Sequence, residues 1–133
     1  MAGYSGTPLD KKLGIKEGFR VALHSVPAEV KAELKHALSG CRIVKTGPLD
    51  LVLLCVKGQA ELQREFFRFS KQLAPTGMIW VGWPKKSSGV LTDLGEDAVR
   101  GIGLAIGLVD VKVCAVNDVW SGLKFVIRLK DRT

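Results

Sequence analysis

The sequence predicts a three-layer α/β sandwich, with a mostly parallel sheet of about six strands and an antiparallel C-terminal hairpin strand. Three observations carry this reading. Apolar runs of strand length alternate along the chain with segments of helical spacing. The run Leu49-Asp50-Leu51-Val52-Leu53-Leu54-Cys55-Val56 is nearly unbroken, the pattern of a parallel strand buried on both faces. The last two strand-like segments are joined only by the turn Asn117-Asp118-Val119-Trp120-Ser121-Gly122, so they form a hairpin.

With 133 residues, 47% of them hydrophobic and 25% charged, the chain is expected to form one globular domain over residues 19–133, preceded by a leader over residues 1–18. No apolar run reaches the roughly 18–20 residues of a membrane span. The first six residues lack the basic-then-apolar pattern of a secretory signal. Cys41, Cys55 and Cys114 are odd in number and far apart, which excludes a disulfide scaffold and points to a reducing, cytoplasmic setting.

Taken in order, the leader carries one amphipathic turn. Thr7 is its expected N-cap, Pro8 its first helical residue and Gly14 its stop, with Leu9 and Leu13 four apart to pin it to the domain. Lys11 and Lys12 sit on that turn, and a loose terminus is the expectation for the leader as a whole. Residues 19–24 read as the first strand, and residues 28–38 as a helix whose Val30, Leu34, Ala37 and Leu38 share a face. Residues 42–44 form a short second strand. Only Thr46-Gly47-Pro48-Leu49 remain to return to the far end of the sheet, so that strand is either very short or not parallel. After the buried central run comes a helix over residues 59–73, with Leu62, Phe66, Phe69 and Leu73 on one side and the pairs Glu61/Arg64 and Glu65/Arg68 on the other. Residues 74–77 read as a turn and residues 78–83 as a second central strand. Thr92 or Asp93 is the expected cap of the next helix, which runs to about residue 106 and is weakened by Gly95, Gly101 and Gly103. Residues 108–116 and 123–129 complete the sheet, the latter alternating and wet on one face. Right-handed crossovers place the first long helix on one face of the sheet and the later two on the other.

In such a sheet, ligands gather beyond the carboxyl ends of the strands, where strand order reverses. The loops meeting there are residues 24–27, 57–58, 84–92 and 117–121. The richest in polar groups follows Trp83: Lys85 and Lys86 supply ammonium groups and Ser87 and Ser88 hydroxyls, with Asn117, Trp120 and Ser121 from the neighbouring turn. These eight residues are the candidate site, suited to a phosphate or carboxylate with an indole to stack on. Asp93 counts against it, since it competes with any anion.

Other chemistries lack their parts. His24 and His36 have no serine on a glycine elbow, and the cysteines form no zinc spacing, so neither nucleophilic catalysis nor a metal is expected. The net charge of +7 is scattered rather than gathered in a stripe with interleaved aromatics. Nucleic acid is therefore not the expected partner, and no membrane is. A small anion or a protein is, with a homodimer through the last strand if that strand lies at a sheet edge.

The element order, the passage Leu73-Ala74-Pro75-Thr76-Gly77-Met78-Ile79-Trp80-Val81 and the closing hairpin resemble the class I S-adenosylmethionine-dependent methyltransferase fold, a Rossmann-like sandwich. Tyr4-Ser5-Gly6-Thr7-Pro8-Leu9, Lys11-Lys12-Leu13-Gly14-Ile15, Trp83-Pro84-Lys85-Lys86-Ser87 and Val119-Trp120-Ser121-Gly122-Leu123-Lys124 are similar to a family of short, uncharacterised bacterial proteins, which implies the same fold and no known activity. The methyltransferase resemblance implies a glycine-rich turn after the first strand. Here that turn reads Leu23-His24-Ser25-Val26-Pro27, with no glycine between Gly18 and Gly40. It also implies a carboxylate after the second strand, where Lys45-Thr46 stand instead, and Asp50 matches only an acidic position at the start of the next. The expectation is a non-catalytic domain without cofactor that binds an anionic ligand or a protein partner. A reduced methyltransferase and a purely structural protein are the alternatives.

Overall fold

A computed structural model describes residues 6–132. Tyr4 and Ser5 of the leader motif, and the signal reading of the first residues, lie outside them. The order along the chain is α1 (Leu9–Leu13), β1 (Arg20–His24), α2 (Ala28–Ser39), β2 (Arg42–Ile43), β3 (Leu49–Cys55), α3 (Gln59–Ser70), β4 (Leu73–Pro84), α4 (Glu96–Ala105), β5 (Leu108–Ala115) and β6 (Trp120–Ile127). The six strands form one sheet in the order β2-β1-β3-β4-β6-β5. The first four strands run parallel, and β6 is antiparallel to both β4 and β5. The expected sandwich is the fold. Among the described residues no helix is long and apolar enough to cross a membrane.

The sheet separates two cores. Leu51, Leu53 and Cys55 of β3 meet Leu9 and Leu13 of α1 and Val30 and Leu34 of α2 on one side. Val52 and Leu54, with Val56 just beyond the strand, meet Leu62, Phe66 and Phe69 of α3 and Val99 of α4 on the other. Period-two alternation thus sends consecutive β3 residues into different cores, which is why the run could not contain a wet face.

The second strand resolves its ambiguity by being short. It is parallel to β1 but only two residues long, so the chain has little height to descend before β3 begins. Residues 74–77 are not a turn: β4 starts at Leu73, and a register shift opposite Leu49/Leu51 absorbs the Pro-Thr-Gly passage. The helix expected to reach residue 73 stops at Ser70 for the same reason. The last strand begins three residues early, at Trp120, and lies inside the sheet between β4 and β5. Its edge is therefore spent, and the homodimer contact expected of it has no free strand to use; β5 holds the edge.

The described part of the leader is docked rather than loose. Leu9 and Leu13 are buried, Gly14 closes α1 in a left-handed conformation, and the Trp80 indole donates a buried 2.8 Å hydrogen bond to the Leu13 carbonyl. Pro8, not Thr7, is the N-cap residue. On the opposite face, Arg100 of α4 reaches Glu96, Asp97 and, at 2.9 Å, Asp110 of β5. Arg20 and Asp50 form a two-pronged pair at 3.0 and 3.1 Å that fixes β1 to β3. The carboxylate at the start of the central run is thereby used in holding strands together.

Gly103 marks the closest approach of helix and sheet, because a Cβ there would collide with the Phe125 ring. Replacing a mid-helix glycine by alanine ordinarily stabilises by up to about 1 kcal/mol. Gly103→Ala is expected to reverse that sign and destabilise by about 1–3 kcal/mol through overpacking, whereas Gly101→Ala, with open space around it, is expected to stabilise. Urea unfolding of the two variants checks this.

Candidate functional site

The sheet changes direction between β1 and β3: the connection from β1 leads outward to β2, and the one from β3 leads the other way to β4. Beyond the carboxyl ends of these two strands lies a cleft of about 510 Å³, a volume within the usual range for small-molecule sites. From the β1–α2 connection come Ser25 and Pro27, and from the first turn of α2 comes Glu29. The end of β3 and the start of α3 give Cys55, Val56, Lys57 and Glu61. Val90 from the long loop and Val119 and Trp120 from the hairpin close the wall.

Each group is positioned by a local cause. Ser25 has φ +51°, in the left-handed region that glycine normally fills, so the chain turns sharply into α2 without a glycine. Residues held in this region are found where the surrounding structure fixes them, often at ligand sites. Glu61 projects from the first turn of α3, and its Oε2 accepts from His24 Nε2 at 2.9 Å. His24 is thus the hydrogen-bonded strand-end residue its sequence position suggested, and its partner is a residue of the cleft. Behind it stands Glu65, which is buried and accepts from Arg68 at 2.9 Å and from Arg64 at 3.2 Å. Glu61 therefore pairs with His24 instead of Arg64. Cys55 is buried and its thiol is pushed up to about 12 by desolvation, so it stays protonated and serves as apolar wall.

Of the eight expected site residues, only Trp120 lines this cleft. Trp83 and Trp120 are both buried but lie in the two different cores, on opposite faces of the sheet. Lys85 is tied by its backbone N–H to the Val119 carbonyl at 2.7 Å, which brings the loop against the hairpin but leaves its side chain outside the cleft. Lys86 and Ser87 are exposed on a single 3-10 turn. The Ser88 hydroxyl donates to the Lys85 carbonyl and accepts from Val90 N–H, so it builds the loop. Asn117 accepts from the Val119 and Trp120 N–H groups and shapes the hairpin turn, and Ser121 pairs with Trp83 in the ladder. The four expected loops all reach the cleft, but the Ser88 hydroxyl and the Asn117 amide satisfy their own loops' backbone and do not line it.

The expected cap of α4 is also relocated. Helix α4 starts at Glu96 after Gly95. Asp93 instead accepts from the Gln59 N–H at 2.8 Å, at the start of α3, while Thr92 donates to the Lys57 carbonyl. Both residues clamp the long loop to the β3–α3 connection, next to the cleft. Among the described residues no group of histidine, cysteine and carboxylate side chains could hold a metal ion.

The Arg68 guanidinium, helped by Arg64 and His24, holds the Glu65 carboxyl below the ordinary carboxylate range against the opposing effect of burial. Its contribution to stability is then present above the unfolded value of about 4.3 and lost as pH falls through the lowered folded value. The stability gap between wild type and Glu65→Gln, measured by urea unfolding, is expected to be full at pH 7 and to shrink below about pH 4.

No family model and no curated protein matches this sequence. Solved structures do. A chain described as a type 11 methyltransferase from Sulfolobus solfataricus superposes with a TM-score of 0.63 at 11% identity, over 92% of this chain and 91% of the other. Magnesium protoporphyrin IX methyltransferase from Synechocystis, with bound SAH, gives 0.57 at 11% identity over 90% of this chain and 81% of that one. Fibrillarin from Aeropyrum pernix, with natively bound S-adenosyl-L-methionine, gives 0.55 at 14% over 93% and 70%. The fold is the Rossmann-like methyltransferase fold. These likenesses also correct the expectation of a scaffold without cofactor, since chains of this fold hold S-adenosylmethionine or its demethylated product. That expectation rests on a β1–α2 turn without glycine and on Lys45-Thr46 standing where a carboxylate is implied. Ser25 takes up a left-handed backbone without a glycine, and it borders the open cleft.

Proposed function

We propose that the chain is a reduced S-adenosylmethionine-binding domain of the methyltransferase fold, with the cleft between β1 and β3 as its site. The observation supporting this most is the make-up of that cleft. Its mouth carries charges of both signs, Glu29 and Glu61 against Lys57, and its wall is formed by Trp120, Val119 and Val56. Such a lining suits a zwitterion attached to a flat aromatic group. Lys57 would meet a carboxylate and the glutamates an ammonium or sulfonium, while the indole and valines cover an adenine and exclude water. His24 holds Glu61 in place for that task. When bound, the cofactor supplies an electrophilic methyl group for a nucleophile. The residues named here bind and orient; none of them needs to move a proton.

Isothermal titration of the full chain with S-adenosylmethionine and S-adenosylhomocysteine tests this. Saturable binding is expected, with Glu61→Gln and Lys57→Ala each weakening it by about tenfold, or about 1.4 kcal/mol. Ligand at one hundred times its dissociation constant should raise stability by about 2.7 kcal/mol in a thermal-shift assay. No heat and no shift at millimolar ligand would reject the reading.

A second reading assigns the long loop to a protein partner that presents acidic and apolar side chains. It is favoured by Leu91, which is 94% exposed beside the exposed Lys86 and Ser87. This contact and the cleft are adjacent, so both can operate in one molecule.

A further inference from the structure

A second groove, on the α1 side of the sheet near its β5 edge, has no part in the cleft. It encloses about 310 Å³ and is lined by Thr7, Lys11 and Lys12 of the leader and by Lys112 and Cys114 of β5, among others. Lysines about one hundred positions apart in the chain are thus brought to one place by the docking of α1. Lys112 also lies directly opposite Lys124 in the antiparallel pair of β5 and β6. Directly paired residues share a face, and Lys124 is in turn opposite Trp80, which belongs to the α1–α2 core. Lys124 therefore adds to the same positive surface. Like charges set opposite each other on a ladder repel, and they are tolerated where something else recovers the loss. Among the described residues no carboxylate stands in ion-pair range of Lys11, Lys112 or Lys124. Asp10, next to Lys11 in the chain, does not line the groove.

We propose that this groove is a separate binding site that takes the polyphosphate group of a small ligand. Several ammonium groups on two elements can meet several anionic oxygens at once, which a single phosphate cannot exploit as fully. The groove's size suits such a group, and among the described residues no aromatic side chain lines it to stack a base, as a single-strand nucleic-acid platform would need. The Cys114 thiol reports the same field: burial pushes it up, while Lys12 and Lys112 pull it down. It remains a neutral thiol and adds no negative charge to the groove.

The test is isothermal titration of the full chain with inorganic triphosphate at matched ionic strength. Wild type is expected to bind, the Lys11→Ala/Lys112→Ala variant to bind at least about tenfold more weakly, and Lys85→Ala/Lys86→Ala, on a loop that does not line the groove, to bind as wild type does. Because Lys11 and Lys112 are exposed, the Lys11→Ala/Lys112→Ala variant should fold. Lys112→Gln alone is expected to raise the melting temperature of the unliganded chain by relieving the repulsion from Lys124, a readout independent of binding. Absence of triphosphate binding to wild type would overturn the proposal. So would equal loss in both double variants, which would mark diffuse attraction to a basic surface. Binding of a short single-stranded oligonucleotide without binding of triphosphate would overturn it as well.

Discussion

The burial of β3 on both faces governs the rest of the molecule. A strand without a wet side must have a layer of helices above and below, and the alternation of Leu51, Leu53 and Cys55 with Val52, Leu54 and Val56 divides those layers into two cores. With β3 central and β1 beside it, the two connections leaving their carboxyl ends must diverge toward opposite edges of the sheet. The crevice between those ends is a consequence of that divergence. The cleft is therefore a property of the topology, and its chemistry is set by the few side chains that happen to surround it.

Much of the architecture was legible in the sequence because it rests on periodicity. Strand and helix signals over residues 19–24, 28–38, 49–56 and 108–116 match the observed elements to within a residue or so. The errors fall where local chemistry and tertiary context disagree. Pro75 and Gly77 read locally as a turn, yet the sheet carries them in an irregular stretch at the start of β4, where Gly77 has the Leu49 carbonyl close by. The leader reads as a loose terminus because terminal segments usually are, although Leu9 and Leu13 are spaced to pin its turn. Its anchor includes the Trp80 indole, a partner 67 positions away that no local pattern reveals.

The place of the cleft was legible in the sequence, and its lining less so. Four loops were expected at one end of the sheet, and three of them, with Val90 from the fourth, border the cleft. The residues with the most evident polar chemistry, Ser88 and Asn117, build their own loops, and Lys86 beside Ser88 is exposed. Glu29, Lys57 and Glu61 were missed as a group because each reads as ordinary helix or loop charge, and only the fold brings them together. One signal was available: His24 at a strand end and Glu61 at a helix start lie on the two elements that flank the switch point. The β1–α2 turn has no glycine in its sequence, yet Ser25 takes the left-handed backbone that glycine would normally supply there.

The central claim concerns where an adenosyl ligand sits, and chemical-shift mapping addresses it most directly. In two-dimensional amide spectra of the labelled chain titrated with S-adenosylhomocysteine, the account predicts shifts concentrated in Ser25 to Glu29, Cys55 to Glu61 and Val119 to Trp120. Spectra unchanged at saturating ligand, or shifts confined to the opposite end of the sheet, would contradict it.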